Sequence, residues 1–367
     1  VTDRLEALRA RIAEVDRRIL RLVADRLSLV REIGVAKRDA ELPVRSYGAE
    51  AEVMARYRDL AHELGVDDHL AERIAHQLIG AAVRLQEEGQ TRRAERALRV
   101  LIVGGAGKMG RWLASFFGAQ GQAVTTLDPA GEVEGCAAAS DLESAVRDSQ
   151  VVILATPLGP GREMLRETLE LRPSALVADI FSLKSHVVDL LSGAAHQGLR
   201  VASLHPLFGP LVRTLSGRVM AVCDCGNPAA ADQAAALFAD TALTISRIPL
   251  EEHDAFMQYV LGLSHLTAIL FFTTLANSGR SYTDLAAMAS TTFHKEARTA
   301  AEVARENPYL YYEIQHLNRH SAELFALLRE SLARIESAAL SPDPARFAAL
   351  MDAGRGYFPD ALPSDLG

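Results

Sequence analysis

Gly105, Gly107 and Gly110 are the first residues of this chain whose types and spacing could do chemistry. They form a G-x-G-x-x-G run, Gly105-Ala106-Gly107-Lys108-Met109-Gly110, between the apolar stretch 100–103 and the helix-forming stretch 111–117. The glycines would allow a tight turn, close approach of backbone to a diphosphate, and close packing of helix on strand. Unpaired N–H groups at the start of the helix would then point at the phosphates. A second apolar stretch, 123–127, ends in Asp128, roughly 20 residues past the glycines, where a carboxylate accepts ribose hydroxyls. The same charge repels a 2′-phosphate, so the pattern predicts a dinucleotide site that takes NAD.

Three further apolar runs each end in polar residues. Residues 151–155 lead into Thr156-Pro157, 175–180 into Phe181-Ser182-Leu183-Lys184, and 200–204 into His205-Pro206-Leu207-Phe208-Gly209-Pro210. Ligands gather outside the carboxyl ends of strands in doubly wound sheets. The loops should therefore converge on the nicotinamide, with Thr156 and Pro157 against the cofactor. His205, in a loop stiffened by two prolines, is expected to serve as a general base or hydrogen-bond partner rather than as a satisfied core histidine. Ser182 is the candidate to orient its imidazole, and Lys184 the candidate to meet a substrate anion. His265 follows Ser264 inside a nearly all-apolar stretch, where an uncompensated imidazole is costly. An interface hydrogen bond and a substrate pocket are both open to it.

The elements that must position these residues follow from periodicity. Leu5, Leu8, Ile12, Val15, Ile19 and Leu22 begin a stripe at spacings of three and four that predicts one helix over 3–38, its other face crowded with arginine. Pro43 breaks it, and helices over 48–64 and 67–88 follow. Three helices of unequal length cannot bury so long a stripe, so an intertwined homodimer is expected. The expected fold class is α + α/β. An all-helical domain (1–90) and a charged linker precede a Rossmann-type doubly wound parallel sheet (98–248). A helical dimerisation and substrate domain (249–352) and a Pro/Gly-rich surface strap (353–367) complete the chain.

Composition sets the outer bounds. At about 150 residues per domain, 367 residues imply more than one domain, and 49% hydrophobic with 23% charged residues is ordinary for a soluble globular chain. A net charge of −8 argues against a nucleic-acid partner. Cys136, Cys223 and Cys225 make no disulfide framework and have no second Cys/His pair nearby, so no metal site is expected. The apolar stretch 259–276 approaches the ~18-residue length of a membrane span. It carries polar residues and lacks basic flanks, which favours a buried helix, at a subunit interface, over a membrane partner. A charged opening helix in place of a signal-like segment gives a cytoplasmic expectation.

Several motifs together resemble a known family. Gly105-Ala106-Gly107-Lys108-Met109-Gly110, Asp179-Ile180-Phe181-Ser182-Leu183-Lys184, His205-Pro206-Leu207-Phe208-Gly209-Pro210, Glu252-His253-Asp254 and Leu263-Ser264-His265 are similar to prephenate dehydrogenase motifs, in family order. The resemblance implies that His205 pairs with the ring hydroxyl of prephenate while hydride leaves for NAD, with Ser182 beside it. Where the family has an arginine for a substrate carboxylate this chain has His294, followed by Lys295; Arg298 matches the family's second arginine. A histidine is not a bidentate, permanently charged clamp, so either Lys295 or Arg298 takes over or the substrate is altered.

Leu8-Arg9-Ala10-Arg11-Ile12, Asp25-Arg26, Ile33-Gly34-Val35-Ala36-Lys37, Pro43-Val44-Arg45 and Leu85-Gln86 are similar to the all-helical chorismate mutases, and the two likenesses together resemble the bifunctional T-protein plan over almost the whole chain. The mutase likeness implies Arg9 (across the dimer) and Arg26 on carboxylates, Lys37 and Gln86 at the ether oxygen, and Glu50 at the ring hydroxyl. The reaction is pericyclic and needs only placed cations and donors. Ser46, Ala49 and Ala82 depart from the family's Asp, Arg and Ser, with Arg45 or Arg56 available to compensate. The expected function is chorismate to prephenate, then NAD-dependent oxidative decarboxylation to 4-hydroxyphenylpyruvate. Two rivals stand beside it: the same reactions on 4-amino-4-deoxy analogues, and a dehydrogenase whose helical half only dimerises or regulates.

Overall fold

A computed structural model describes residues 2–40, 47–89, 97–212, 217–239 and 243–358, with the single positions 215 and 241. Three helices come first: α1 (Thr2–Asp39), α2 (Tyr47–Leu64) and α3 (Asp68–Gly89). α3 packs on both others. Every residue of α1 from 3 to 22 is exposed, including its apolar stripe, and burial begins only near Val30. The expected Pro43 break, Ser46, Arg45 and most of the linker lie outside the described residues.

The central region alternates strand and helix. In order it has β1 (Arg99–Val103), α4 (Lys108–Ala119), β2 (Ala123–Leu127), β3 (Ala137–Ala138), α5 (Leu142–Arg147) and β4 (Val151–Leu154). It continues with α6 (Leu158–Glu170), β5 (Leu176–Asp179), α7 (Val188–His196), β6 (Val201–Pro206), β7 (Val219–Asp224), α8 (Pro228–Ala236) and β8 (Thr244–Pro249). The sheet order is β3-β2-β1-β4-β5-β6-β7-β8, reversing direction of travel between β1 and β4. Strands such as Val151–Leu154 and Leu176–Asp179 are buried along their whole length, as they must be when helices cover both faces. Val100 and Ile102 face a core with Leu113 and Phe117 of α4, while Leu101 and Val103 face one with Leu165 of α6 and Leu191 of α7.

The sheet is mixed, not wholly parallel. β7 runs antiparallel to β6, with His205 opposite Ala221, and β8 runs parallel to β7. No helix is described between β6 and β7, and a chain that returns without a crossover comes back antiparallel.

The remainder is helical: α9 (His253–Met257), a π-helix (Gln258–Leu263), α10 (Ser264–Asn277), α11 (Tyr282–Ala286), α12 (Thr291–Arg305), α13 (Pro308–Leu317), α14 (Ser321–Ala339) and α15 (Pro344–Tyr357). The stretch 253–277 is long and apolar enough to cross a membrane. Val260 and Leu270 are at least half exposed in the single chain, so burial of this stretch would require the partner surface expected at a subunit interface. The expected strap begins as helix: Asp343 accepts from Ala345 N at 3.0 Å, capping α15, which runs through Gly354 and Gly356 to Tyr357. Residues 359–367 lie outside the described set.

The turn after β1 is the tightest point of the sheet. Gly104 has φ +85°, and a Cβ there would fall 2.7 Å from Ala155 O on the neighbouring strand's loop; a Cβ on Gly110 would overlap Gly104 O. Gly110→Ala should therefore cost about 1–3 kcal/mol, as overpacking against backbone does, read as a lower urea midpoint. An unchanged midpoint would contradict this close approach.

Candidate active sites

The dinucleotide crevice opens where the strand order reverses, between the carboxyl ends of β1 and β4. Gly107 caps α4 with no side-chain acceptor, leaving the helix start available to an anion. Asp128 ends β2 against this turn: its Oδ2 accepts from Ala106 N at 2.9 Å and its Oδ1 from Ala130 N at 2.8 Å. Across the crevice, Pro157 caps α6, and Thr156 Oγ1 is buried with no hydrogen-bond partner among the described residues. A glycine cradle, a terminal carboxylate and an orphaned hydroxyl fit a dinucleotide.

A buried relay stands at the carboxyl end of β6. His205 Nδ1 lies 3.0 Å from His253 Nε2, and His253 Nδ1 lies 2.7 Å from Asp254 Oδ1. Asp254 also accepts from Lys184 N (2.9 Å), Ser185 N (2.6 Å) and Ser185 Oγ (2.5 Å). Burial works to raise the Asp254 pKa, but hydrogen bonds from His253, Ser185 and Lys184 N outweigh it and hold the carboxyl well below its usual range. An ionised Asp254 only accepts, so His253 carries its proton on Nδ1 and presents a lone pair at Nε2. His205 must then carry its proton on Nδ1, which leaves Nε2 as a base. Burial, then the neighbouring His253 and Lys184, push the His205 pKa well below the ordinary value, so the imidazole is neutral at pH 7.

One expectation for this loop is corrected and one is extended. His253 holds the Nδ1 side of the His205 ring, and the serine within the relay is Ser185, three residues on from Ser182. Lys184 does not meet a substrate anion. It is fully buried, its Nζ 2.6 Å from Asp179 Oδ2 and 2.8 Å from Leu204 O, because an ammonium this deep needs a carboxylate and a carbonyl. It ties the β5 loop to the residue preceding His205.

The substrate candidates fall in two places. His294, Lys295 and Arg298 line one cavity of about 890 Å³, with Arg280, Arg305 and the aromatic wall at Phe271. Neither His205 nor His265 lines it. His265 opens α10 just after the π-helix, its ring edge-on to Tyr311 at 4.6 Å. Its Nδ1 is buried without a partner among the described residues, and burial lowers its pKa.

In the N-terminal helices, Lys37 Nζ stands 3.4 Å from Gln86 Oε1, and Arg26 Nη1 donates to Leu78 O at 3.1 Å. Gly34 permits the approach, since a Cβ there would lie 3.3 Å from Gln86 Cγ. Arg9 is exposed and lies roughly 25 Å along α1 from Arg26, at 1.5 Å per residue. It cannot share a cage with Arg26 and Lys37 of its own chain. Glu50 falls on α2, but its side chain is outside the described residues.

Comparison with known proteins bears on all three regions. The family model for chorismate mutase type II matches residues 8–87, that for the prephenate dehydrogenase nucleotide-binding domain 129–241, and that for the prephenate dehydrogenase dimerization domain 249–353. The chain belongs to the bifunctional chorismate mutase–prephenate dehydrogenase family. It is 29% identical over 311 residues to the T-protein of Enterobacter agglomerans, covering 84% of this chain and 81% of that one. It is 28% identical over 270 residues to the 4-amino-4-deoxyprephenate dehydrogenase of Streptomyces pristinaespiralis, covering 70% and 90%. In fold it is similar to prephenate dehydrogenase from A. aeolicus, solved with hydroxyphenyl propionate and NAD+, at TM-score 0.58, 18% identity, and 72% and 99% coverage.

The nucleotide-binding match begins at residue 129, so the reading of Gly105 to Asp128 stands on its own geometry. The relay residues His253, Asp254 and Ser185 carry no assigned role from sequence alone. The adjacent His-Asp pair heading an apolar helix was the available signal.

Four histidines are held neutral by the fold: burial lowers the pKa of His186, His205, His253 and His265. The unfolded chain protonates them near pH 6.5, so it binds more protons and stability falls as pH drops below that value. Asp254 acts with the same sign at lower pH: its carboxyl is held well below the usual range in the fold, so its contribution is lost only as pH falls below the unfolded value of about 3.9. Between pH 7.5 and pH 5 the unfolding temperature should fall by about 5 °C or more. A constant or rising value would contradict neutral buried histidines.

Proposed function

We propose that this chain converts chorismate to prephenate in its N-terminal helices and oxidatively decarboxylates prephenate to 4-hydroxyphenylpyruvate in the remainder, with NAD. The reading is carried by the relay that leaves His205 Nε2 unprotonated at the carboxyl end of β6. When bound, the nicotinamide supplies the hydride acceptor. His205 Nε2 takes the proton of the ring hydroxyl as hydride leaves C4. The C1 carboxylate departs as carbon dioxide, its electron pair restores the aromatic ring, and the phenolate recovers the proton from His205. His253 and Asp254 steady the transient imidazolium. Asp128 accepts the ribose hydroxyls, and Thr156 and Pro157 line the nicotinamide side.

In the mutase half the Lys37–Gln86 pair supports an active cage and speaks against a merely dimerising module. Lys37 and Gln86 donate to the ether oxygen, Arg26 holds a carboxylate, and Glu50 meets the ring hydroxyl. Arg9 serves the cage of a second copy, which fits its distance from Arg26 and the exposed stripe of α1. The protein works as a homodimer in the cytoplasm, its domains falling near 1–90, 98–248 and 249–357.

A second reading is favoured by His294 and Ala49, which stand where the family places arginines, and by the relative named for a 4-amino-4-deoxyprephenate. An amino group brings positive charge, and losing an arginine relieves repulsion. In the first reading, Lys295 or Arg298 takes over the substrate carboxylate in place of the missing arginine.

Purified protein with NAD, offered chorismate, prephenate and their 4-amino counterparts separately, distinguishes the readings. Chorismate should be consumed and prephenate should yield NADH. His205→Asn should lower kcat about 10²–10⁴-fold with NAD binding retained. Turnover of the amino compounds alone would establish the second reading, and an active His205→Asn variant would place the base elsewhere.

A further inference from the structure

The segment joining α12 to α13 lies across the mouth of the dinucleotide crevice. The walls of that mouth are the N-termini of α4 and α6, and neither helix caps itself with a side chain. Each end meets a carboxylate from the helical domain instead. Glu306, which ends α12, sits 3.1 Å from Lys108 Nζ at the start of α4. Glu313 on α13 accepts from Gly159 N of α6, also at 3.1 Å. Between them Asn307 caps α13, its Oδ1 accepting from Tyr309 N at 3.0 Å. The two contacts fall on opposite walls, so residues 306–313 span the opening.

We propose that this segment is an electrostatic gate, with Glu306 and Glu313 as latches that release before a dinucleotide diphosphate reaches α4. The inference rests on the reading that the crevice takes NAD. Helix N-termini favour an anion, and here external carboxylates satisfy that preference while no diphosphate is bound. Diphosphate and the two carboxylates repel each other, and Lys108 cannot serve a phosphate while paired with Glu306. The Lys108 and Glu306 side chains are 74% and 48% exposed. Such an ion pair is weak and screened by salt, as a latch released in every turnover must be. α13 also presents Tyr311 to His265, and Gln315 Nε2 to Gly262 O of the π-helix at 3.1 Å. Lifting the gate therefore moves the residues packed against His265.

Trp112 is the sole tryptophan of the chain and lies on α4 one turn beyond Lys108, so its fluorescence reports NADH arriving. Stopped-flow mixing of the intact protein with NADH measures the association rate. Glu306→Gln and Glu313→Gln keep size and hydrogen-bonding capacity and remove only charge. Each should raise the rate about three- to five-fold at low salt. Wild-type association should quicken as salt is added, and the double variant should lose that dependence. Unchanged rates in both variants, or a wild-type rate that falls with salt, would overturn the gate while leaving NADH binding intact. Absence of any NADH binding by equilibrium dialysis would instead overturn the cofactor reading, and the gate with it.

Discussion

One buried carboxylate joins the two halves of the dehydrogenase region. Asp254 belongs to α9 of the helical domain, yet it collects Lys184 N, Ser185 N and Ser185 Oγ from the loop after β5, and His253 Nδ1 from beside it. A charge at this depth is costly unless nearly every lone pair is used, and here the donors come from both domains. The loop and α9 are therefore fixed together, and Asn318 Nδ2 adds a bond to Asp254 O at 3.0 Å. Lys184 serves twice, giving its N–H to Asp254 and its ammonium to Asp179 and Leu204 O. The position and the tautomer of His205 both follow from this one arrangement.

The two halves of the chain solve different physical problems. Proton transfer needs a group held neutral and aimed, which explains the burial, the antiparallel β6–β7 pairing at His205 and the chain of hydrogen bonds behind it. A pericyclic rearrangement needs no proton transfer, only cations and donors in place. Long side chains across two helices suffice for that, with Gly34 setting how closely α1 and α3 approach.

Much of this was legible in the sequence because it depends on local pattern. The glycine turn, the strands ending in Asp128, Thr156 and His205, and the three opening helices are written in short-range periodicity and spacing. What was not legible depends on distant residues meeting. Lys184 read as a free cation because nothing local shows that Asp179 and Leu204 O surround its ammonium. Ser185 carried no role in the sequence because its part depends on Asp254, 69 residues beyond it. The reversal of β7 depends on the connection after Pro210, which periodicity does not describe.

The account turns on where the protons of the relay sit. Nitrogen-15 NMR of histidine-labelled protein at neutral pH, with His253→Gln and His205→Asn used for assignment, reads this directly. The structure requires a His205 Nδ1 that carries hydrogen and a His205 Nε2 with the shift of an unprotonated ring nitrogen. A proton on His205 Nε2, as either the opposite tautomer or an imidazolium, would contradict the relay and remove the base it provides.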